Sequence, residues 1–164
     1  MTVENASDAL AALISDAAAS VTKEAADAVA PATPPHRCDV LIVDDNGASR
    51  ELLSAILRNF AGRLDLREAR NGTEGLALWT ELNPRVTLMD IDMPGMDGLS
   101  ALTTMRQARP ETFVAMISGA SSLDHVRRAL AQGASGFVIK PYKPQRILDL
   151  LHKYAQHSGH DLTV

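Results

Sequence analysis

Between residues 38 and 155, five short apolar runs alternate with five segments of helical periodicity, and this alternation most constrains the fold. The first run, Val40–Val43, contains no polar side chain, as expected of a parallel strand buried on both faces. Strict alternation of this kind predicts an α/β fold. We expect a doubly wound, five-stranded parallel sheet with helices on both faces and right-handed crossovers.

The expected elements follow one another with short connections. The strands are expected at 40–43, 64–68, 86–90, 113–117 and 137–139, and the helices near 52–60, 73–82, 99–105 (closed by Pro110), 121–132 and from 144 onward. Thr73 is expected to cap the second helix, Gly133 to end the fourth and Pro144 to open the fifth.

Polar side chains stand where the expected strands end. Asp44 and Asp45 follow the first strand, Asp90 ends the third, Ser118 follows the fourth and Lys140 follows the fifth. The carboxyl ends of parallel strands meet at one edge of a sheet, where ligands bind. Each residue alone is more often a turn or capping residue, but their joint placement predicts a site.

The predicted cluster favours phosphate chemistry. Three neighbouring carboxylates repel one another, and a divalent cation offsets that repulsion. Oxygen ligands favour a hard ion, Mg²⁺ or alternatively Mn²⁺, and carboxylate-bound Mg²⁺ usually works on phosphate. The ammonium of Lys140 and the hydroxyl of Ser118 suit phosphate oxygens. Asp90 could then attack phosphorus and form an aspartyl phosphate.

Four segments of the chain resemble the receiver domain of two-component response regulators. They are Leu41–Asn46, Leu88–Gly98, Ile117–Ala120 and Phe137–Tyr142, which stand in the order and spacing of that family. The resemblance covers about residues 38–155. It implies the flavodoxin-like fold of that family. It also implies a phosphorylation-dependent signalling switch that promotes its own phosphorylation and dephosphorylation, and not an enzyme that turns over an external substrate.

The resemblance also implies how a metal is held. Asp90 resembles the phosphoacceptor and would be a ligand of the Mg²⁺ as well. Asp45 resembles the direct ligand, and Asp44 the ligand that acts largely through water. The backbone carbonyl of Asp92 resembles the remaining protein ligand, while its side chain is an additional carboxylate at a position that varies in the family.

Three further residues resemble the parts of the family that respond to phosphorylation. Lys140, followed by an expected cis bond to Pro141, would contact the phosphoryl group. Ser118 resembles the switch hydroxyl that moves toward a phosphoryl oxygen. Phe137 resembles the aromatic side chain that swings into the vacated space, although a plain core position is the alternative for it.

The resemblance places the readout surface on helix four, strand five and helix five. That surface carries Asp124, His125, Arg127, Arg128, Lys143, Gln145 and Arg146, and His125 is expected to be a surface residue and not a catalytic base. The implied phosphodonor is a histidine kinase or a histidine phosphotransfer protein. A downstream protein that the sequence does not identify would read the signal, and a homodimer is a further expectation.

The rest of the chain differs from this domain. Residues 1–30 are Ala-rich and acidic, which predicts a helical or disordered extension that could dock on a partner, a second copy or its own domain. A Pro-rich linker is expected at 31–37 and a polar tail at 156–164. The short tail favours a stand-alone receiver without an output domain, and a piece of a larger hybrid kinase is the alternative.

Composition limits the classes of binding partner and the cellular compartment that we expect for the protein. The 164-residue chain has a net charge of −4 and therefore no basic balance that would suggest binding to nucleic acid or a membrane surface. The single cysteine, Cys38, cannot form an internal disulfide, and neither a signal peptide nor a membrane-spanning run is evident. We therefore expect a cytoplasmic protein.

Two other functions compete with this interpretation. One is a phosphorylation-independent adaptor with the receiver fold, although the residues needed for phosphorylation are all present. The other is a phosphohydrolase of the haloacid dehalogenase type, because the segment Asp90–Ile91–Asp92 resembles the pair of carboxylates, two residues apart, that this family uses. That family places the pair on its first strand, and Asp44 and Asp45 would then have no role.

Overall fold

The computed structural model describes residues 33–119 and 123–163, and every regular element in these ranges belongs to the compact unit Pro35–Val164. The strands are β1 Val40–Val43, β2 Leu66–Ala69, β3 Val86–Asp90, β4 Val114–Ser118 and β5 Gly136–Ile139. The helices are α1 Gly47–Phe60, α2 Gly72–Leu82, α3 Gly98–Ala108, α4 Leu123–Ala131 and α5 Pro144–Ser158. The expected extension at 1–30 and the expected start of the fourth helix at Ser121 lie outside the described residues.

The five strands form one parallel sheet in the order β2-β1-β3-β4-β5. Every residue of β1, β3 and β4 is buried, which explains why these strands read as continuous apolar runs. The predicted fold class is therefore confirmed. Because all strands point the same way, their carboxyl ends lie along one edge.

Each face of the sheet carries its own apolar core, since successive strand residues point to opposite faces. On one face, the strand residues Ile42, Leu88 and Ile117 pack with residues of α1 and α5. The helix residues of this core are Leu53, Ile56, Leu57, Ile147, Leu150, Leu151 and Tyr154.

The other face is covered by α2, α3 and α4. Here Leu41, Met89 and Met116 of the strands lie in one core with residues of the three helices. The helix residues are Trp79, Leu99, Ala101, Leu102, Met105 and Ala129. The helices are therefore divided between the two faces, as the doubly wound fold requires.

The second helix starts earlier than the sequence predicts. Its cap is Asn71, whose side chain accepts a hydrogen bond from the Glu74 amide at 2.8 Å, so the expectation of Thr73 as cap is wrong. The helix can begin at Gly72 because glycine lacks a Cβ, and a Cβ there would collide with the backbone carbonyl of Met96. The absence of a side chain thus lets the start of α2 approach the loop that follows β3.

The edge strand β2 begins two residues later and ends one residue later than predicted, at Leu66–Ala69 instead of 64–68. Its register pairs Val40 with Leu66 and Val43 with Ala69. Leu64 and Leu66 are both partly buried against the same core. A start at Leu64 and a start at Leu66 place the same side chains on the same face, so the sequence pattern alone could not choose between the two starts.

The chain beyond residue 155 contributes to the domain. Helix α5 continues to Ser158, and Gly159, in the left-handed conformation with φ 72°, ends it. Leu162 then returns to the core around Tyr154 and is only 5% exposed. Part of the expected polar tail is therefore structured.

The linker also touches the domain where it is described. The Arg37 amide donates to the carbonyl of Leu82 at 2.8 Å, and Nδ1 of His36 donates to the carbonyl of Asn83 at 2.7 Å. Both contacts satisfy carbonyls at the C-terminal end of α2. In the described ranges, no helix has the length and apolar character needed to span a bilayer.

Candidate functional site

Three carboxylates meet at the carboxyl edge of the sheet. Asp44 follows β1, Asp45 follows it in turn, and Asp90 ends β3; one oxygen from each lies within 4.8 Å of the others. Asp44 and Asp90 are buried, whereas Asp45 is exposed. The structure therefore brings together the three acidic residues that the sequence placed at strand ends.

Lys140, from the end of β5, inserts its ammonium between two of these carboxylates. Its Nζ lies 2.8 Å from Oδ2 of Asp44 and 3.6 Å from Oδ2 of Asp90. The peptide bond from Lys140 to Pro141 is cis, as predicted. In the strand order, β3 and β4 lie between β1, which Asp44 follows, and β5, which Lys140 follows. The side chain of the predicted lysine therefore extends along the carboxyl edge of the sheet to reach the acidic cluster.

The two neighbouring acids of the first strand differ in their surroundings. Oδ1 of Asp44 accepts a hydrogen bond from the Asn46 amide at 2.9 Å, and Oδ2 accepts one from Lys140. Both oxygens of Asp44 are thus engaged within the protein, while Asp45 faces solvent. This difference fits a direct ligand at Asp45 and a ligand that acts through water at Asp44.

The electrostatics of the cluster are dominated by burial and mutual repulsion. Burial, followed by the charge of Asp44, raises the pKa of Asp90 to about 6, although Lys140 pulls it down in part. Burial alone would lower the pKa of Lys140, but its hydrogen bond to Asp44 and the charges of Asp90 and Asp44 raise it overall. Lys140 is therefore held in its charged form.

These residues fit a divalent cation. The donors are all carboxylate oxygens, which suit Mg²⁺ or Mn²⁺ and not softer metals. Burial is the main cause of the raised pKa of Asp90, the charges of Asp44 and Asp45 add to it, and a divalent cation would offset the repulsion among the three carboxylates. The backbone carbonyl of Asp92 as a further ligand stays a prediction.

Ser118 is fully buried at the end of β4 and faces a carboxylate that was not predicted to contact it. Its hydroxyl donates to Oδ2 of Asp92, with 3.3 Å between the two oxygens. Its carbonyl accepts a hydrogen bond from the Lys140 amide at 2.8 Å, which ties β4 to β5 at the site. The predicted switch hydroxyl is therefore next to Asp92.

The side chain of Phe137 is neither fully buried in the core nor fully exposed. It is partly buried and packs against the core on the α2, α3 and α4 face. It also lines a surface depression together with Val126, Tyr142 and Arg146, which belong to α4, the loop after β5, and α5. This depression lies on the predicted readout surface, where His125 is partly buried on α4.

A close approach of backbone segments positions Asp90. The amide of Gly98 donates to the carbonyl of Ile91 at 3.0 Å, and a Cβ on Gly98 would collide with the carbonyl oxygen of Asp90. Asp97 caps α3 by accepting from the Ser100 amide at 2.8 Å. The Asp97-Gly98 pair belongs to the segment Leu88–Gly98 that resembles the receiver family, but its role in fixing the backbone at Asp90 was not predicted.

Sequence reasoning missed two side chains that support the cluster. Arg50 on α1 donates to the backbone carbonyl of Asp44 at 2.8 Å and to Glu68 at 3.2 Å. The hydroxyl of Tyr142 donates to the carbonyl of Ser49 at 3.2 Å and joins the loop after β5 to α1. Burial, followed by the charges of nearby carboxylates, raises the pKa of Tyr142 to about 12.

Comparison with known proteins agrees with this geometry. Residues 40–152 match the family model of the response regulator receiver domain. The chain is 34% identical over 117 residues to the chemotaxis protein CheY of Thermotoga maritima, covering 71% of this chain and 97% of that protein. It is 33% identical over 118 residues to CheY of Bacillus subtilis, covering 72% and 96%.

Solved structures show the same arrangement of elements. The receiver domain of NtrX from Brucella abortus superposes with a TM-score of 0.68 at 31% identity, covering 73% of this chain and 100% of that one. A CheY-like receiver domain protein from Methanospirillum hungatei gives a TM-score of 0.68 at 28% identity, covering 74% and 97%. With the sheet order, the acidic cluster and the family match in agreement, this chain belongs to the response regulator receiver domain family.

Proposed function

We propose that this protein is a phosphorylation-dependent signalling switch in which Asp90 accepts a phosphoryl group from a histidine kinase or a histidine phosphotransfer protein. One observation carries the proposal. The carboxylates of Asp44, Asp45 and Asp90 lie within 4.8 Å of one another, and Nζ of Lys140 lies 3.6 Å from Oδ2 of Asp90. This arrangement offers a nucleophile, a metal-binding acid pair and a cation for the phosphoryl oxygens.

The transfer step follows from the state of Asp90. With a pKa of about 6, its carboxylate is largely deprotonated at neutral pH and can act as a nucleophile. A carboxylate oxygen bonds to phosphorus while the bond from phosphorus to the donor histidine nitrogen breaks, and the electron pair of that bond stays on the nitrogen. The product is an acyl phosphate on Asp90.

The remaining residues hold and balance charge during this step. Asp44, Asp45 and Asp90 would hold Mg²⁺ or Mn²⁺ together with the carbonyl of Asp92, and the bound ion supplies positive charge for the transferring group. Lys140 stays protonated and turns its ammonium toward a phosphoryl oxygen. We propose no turnover of an external substrate, since the chain itself is the phosphoacceptor and promotes its own phosphorylation and dephosphorylation.

The signal leaves through contacts with another protein. The phosphoryl group adds about 1.5–2 negative charges and strong hydrogen-bond acceptors. Ser118 exchanges Asp92 for a phosphoryl oxygen, and Phe137, which is only partly buried, follows into the space that this movement opens. The populations of two conformations shift, and a downstream protein reads the change on α4, β5 and α5.

The structure supports this function better than a phosphohydrolase of the haloacid dehalogenase type. Asp90 ends β3, the third strand in chain order, and Asp92 follows it, while Asp44 and Asp45 lie close to Asp90. A phosphorylation-independent adaptor is the remaining alternative, and the intact cluster favours the switch over it.

Intact mass spectrometry tests the proposal. Wild-type protein incubated with Mg²⁺ and acetyl phosphate should gain one phosphoryl group, and should not gain it when EDTA replaces Mg²⁺. Asp90→Asn should gain none, whereas Asp149→Asn, which removes an exposed carboxylate of α5, should behave as wild type. Equal labelling of wild type and Asp90→Asn would reject Asp90 as the acceptor. If the protein binds Mg²⁺ but gains no phosphoryl group from acetyl phosphate or from a histidine phosphotransfer protein, the result favours the adaptor over the switch.

A further inference from the structure

A second layer of side chains supports the acidic cluster from the β2 side. Arg50 on α1 has a side chain that is only 15% exposed. Its Nη1 donates to the backbone carbonyl of Asp44 at 2.8 Å, and its Nε donates to Oε2 of Glu68 at 3.2 Å. One guanidinium therefore connects the end of β1 to β2.

The carbonyl that Arg50 binds lies just beyond the sheet. The amide of Asp44 donates to the carbonyl of Ala69 at 3.2 Å, where β1 ends its pairing with β2. The carbonyl of Asp44 belongs to the next peptide, which joins Asp44 to Asp45. Holding this oxygen fixes the rotation of that peptide, and the rotation sets where the exposed carboxylate of Asp45 stands.

Glu68 keeps Arg50 in this position. One of its oxygens pairs with Arg50, and the other accepts a hydrogen bond from the hydroxyl of Ser54 at 2.9 Å. The sequence suggested no role for Glu68. In the structure it supplies a partner for the guanidinium, so that this charge is directed at Glu68 and not at the carboxylates that would bind a cation.

We infer that Arg50, held by Glu68, is a positioning residue that sets the Asp44–Asp45 peptide and thereby the affinity of the site for a divalent cation. This inference rests on the proposed function, because that function requires the cation. Groups behind the ligands of a metal site typically change its affinity by about 10- to 100-fold when they are removed.

Positioning can be separated from simple electrostatics, because the two roles predict different results. If Arg50 acted only through its charge, removing it would strengthen cation binding, and replacing it with lysine would change little. If it positions the peptide, lysine should fail, since a compact ammonium does not reproduce the fork of a guanidinium. A double substitution of Arg50 and Glu68 to glutamine leaves the net charge unchanged and should also weaken binding.

The test measures the dissociation constant for Mn²⁺ by electron paramagnetic resonance, followed by displacement with Mg²⁺. Arg50→Lys and the pair Arg50→Gln/Glu68→Gln should each bind Mn²⁺ about tenfold more weakly than wild type. Arg58→Lys, an exposed arginine in the last turn of the same helix, should not change the constant. Thermal unfolding in EDTA checks that each variant is folded.

A second readout separates positioning from a general loss of activity. The rate of labelling by acetyl phosphate should require more Mg²⁺ in Arg50→Lys but return to within about twofold of wild type at saturating Mg²⁺. Unchanged Mn²⁺ affinity in folded Arg50→Lys and in the double variant would overturn the inference. If wild type itself bound no Mn²⁺ or Mg²⁺ and matched Asp45→Asn, the metal site of the proposed function would fail instead.

Discussion

The buried hydroxyl of Ser118 donates a hydrogen bond to the exposed carboxylate of Asp92, with 3.3 Å between Oγ and Oδ2. The residue expected to bind a phosphoryl oxygen is therefore already bound to an acid two positions after Asp90. To reach the phosphoryl group, the hydroxyl must give up this contact. Asp92 consequently favours the resting arrangement of Ser118.

Removing the side chain of Asp92 should make the phosphorylated conformation easier to reach. Because a hydrogen bond contributes about 0.5–1.5 kcal/mol, we expect Asp92→Ala to bind beryllofluoride, a phosphoryl mimic, roughly threefold to tenfold more tightly with Mg²⁺ present. Fluorine NMR titration measures this affinity. The same change in a Ser118→Ala background reports the loss of negative charge alone and should have a smaller effect. Equal effects in both backgrounds would show that the hydrogen bond is not the cause.

Substitution of Lys140 should have opposite effects on metal binding and on phosphorylation. Lys140→Met removes a cation 3.6 Å from Asp90 and 2.8 Å from Asp44, so Mn²⁺ should bind more tightly. Labelling by acetyl phosphate should nevertheless slow at least about tenfold, since the transferring group loses a positive contact. Lys153→Met, on the exposed part of α5, is the control and should change neither quantity. Weaker metal binding in Lys140→Met would contradict this account.

The stability of the metal-free protein should depend on the ionisation of Asp90. Burial raises the pKa of Asp90 to about 6 in the folded protein, whereas an unfolded aspartate titrates near pH 4. Between these values the unfolded chain loses its proton first, so stability falls as the pH rises and the loss is complete above about pH 6. A shift of this size corresponds to about 2–3 kcal/mol.

Asp90→Asn lacks this titration and should be the more stable protein at neutral pH. Urea unfolding in EDTA should give it an advantage of about 2–3 kcal/mol at pH 7.5, falling toward zero near pH 4. Asp149→Asn controls for the removal of one exposed negative charge. Adding Mg²⁺ should then stabilise wild type more than Asp90→Asn, because the ion binds only the folded state and the variant lacks one of the three carboxylates that would hold it. An advantage that does not vary with pH would exclude this explanation.

The sequence could predict the sheet and the acidic cluster because both depend on local patterns. The buried strands β1, β3 and β4 are mainly apolar runs, and a polar residue at the end of such a run must lie at the carboxyl edge of the sheet. Asp44, Asp90 and Ser118 could therefore be placed before any distance was known, and Lys140 likewise because it follows the short apolar run of β5. The position of β2 could not, because Leu64 and Leu66 fit the same face equally well.

The supporting contacts could not be predicted, because they join elements distant in the chain. Arg50 and Glu68 meet only once the register of β1 and β2 is set, and Ser118 and Asp92 only once β3 and β4 are paired. Nothing in the local sequence around Glu68 indicates an arginine partner. Contacts of this kind follow from the tertiary structure and not from periodicity.

Leu162 should contribute to stability although it lies beyond the last helix. It is 5% exposed and packs with the core that contains Tyr154. Leu162→Ala should lower the free energy of unfolding by about 2–3 kcal/mol, at the lower end of the range for buried leucines. Urea unfolding measures the change, with Gln156→Ala on the exposed side of α5 as control. A loss below about 0.5 kcal/mol would show that residues 159–163 are not part of the stable domain.

The close approach at Gly98 predicts a substitution that damages the site through the backbone. A Cβ at this position would collide with the carbonyl oxygen of Asp90 and stand 2.9 Å from Cα of Ile91, so the end of β3 would have to move. Gly98→Ala should therefore cost about 1–3 kcal/mol of stability and weaken Mn²⁺ binding, because Asp90 shifts away from Asp44 and Asp45. The matched control is Gly62→Ala, where a Cβ would meet nothing within 4 Å. Since alanine restricts the unfolded chain without a clash there, Gly62→Ala should leave stability unchanged or raise it by up to about 1 kcal/mol. If both variants unfold at the same urea concentration and bind Mn²⁺ equally well, backbone contact at Gly98 does not position Asp90.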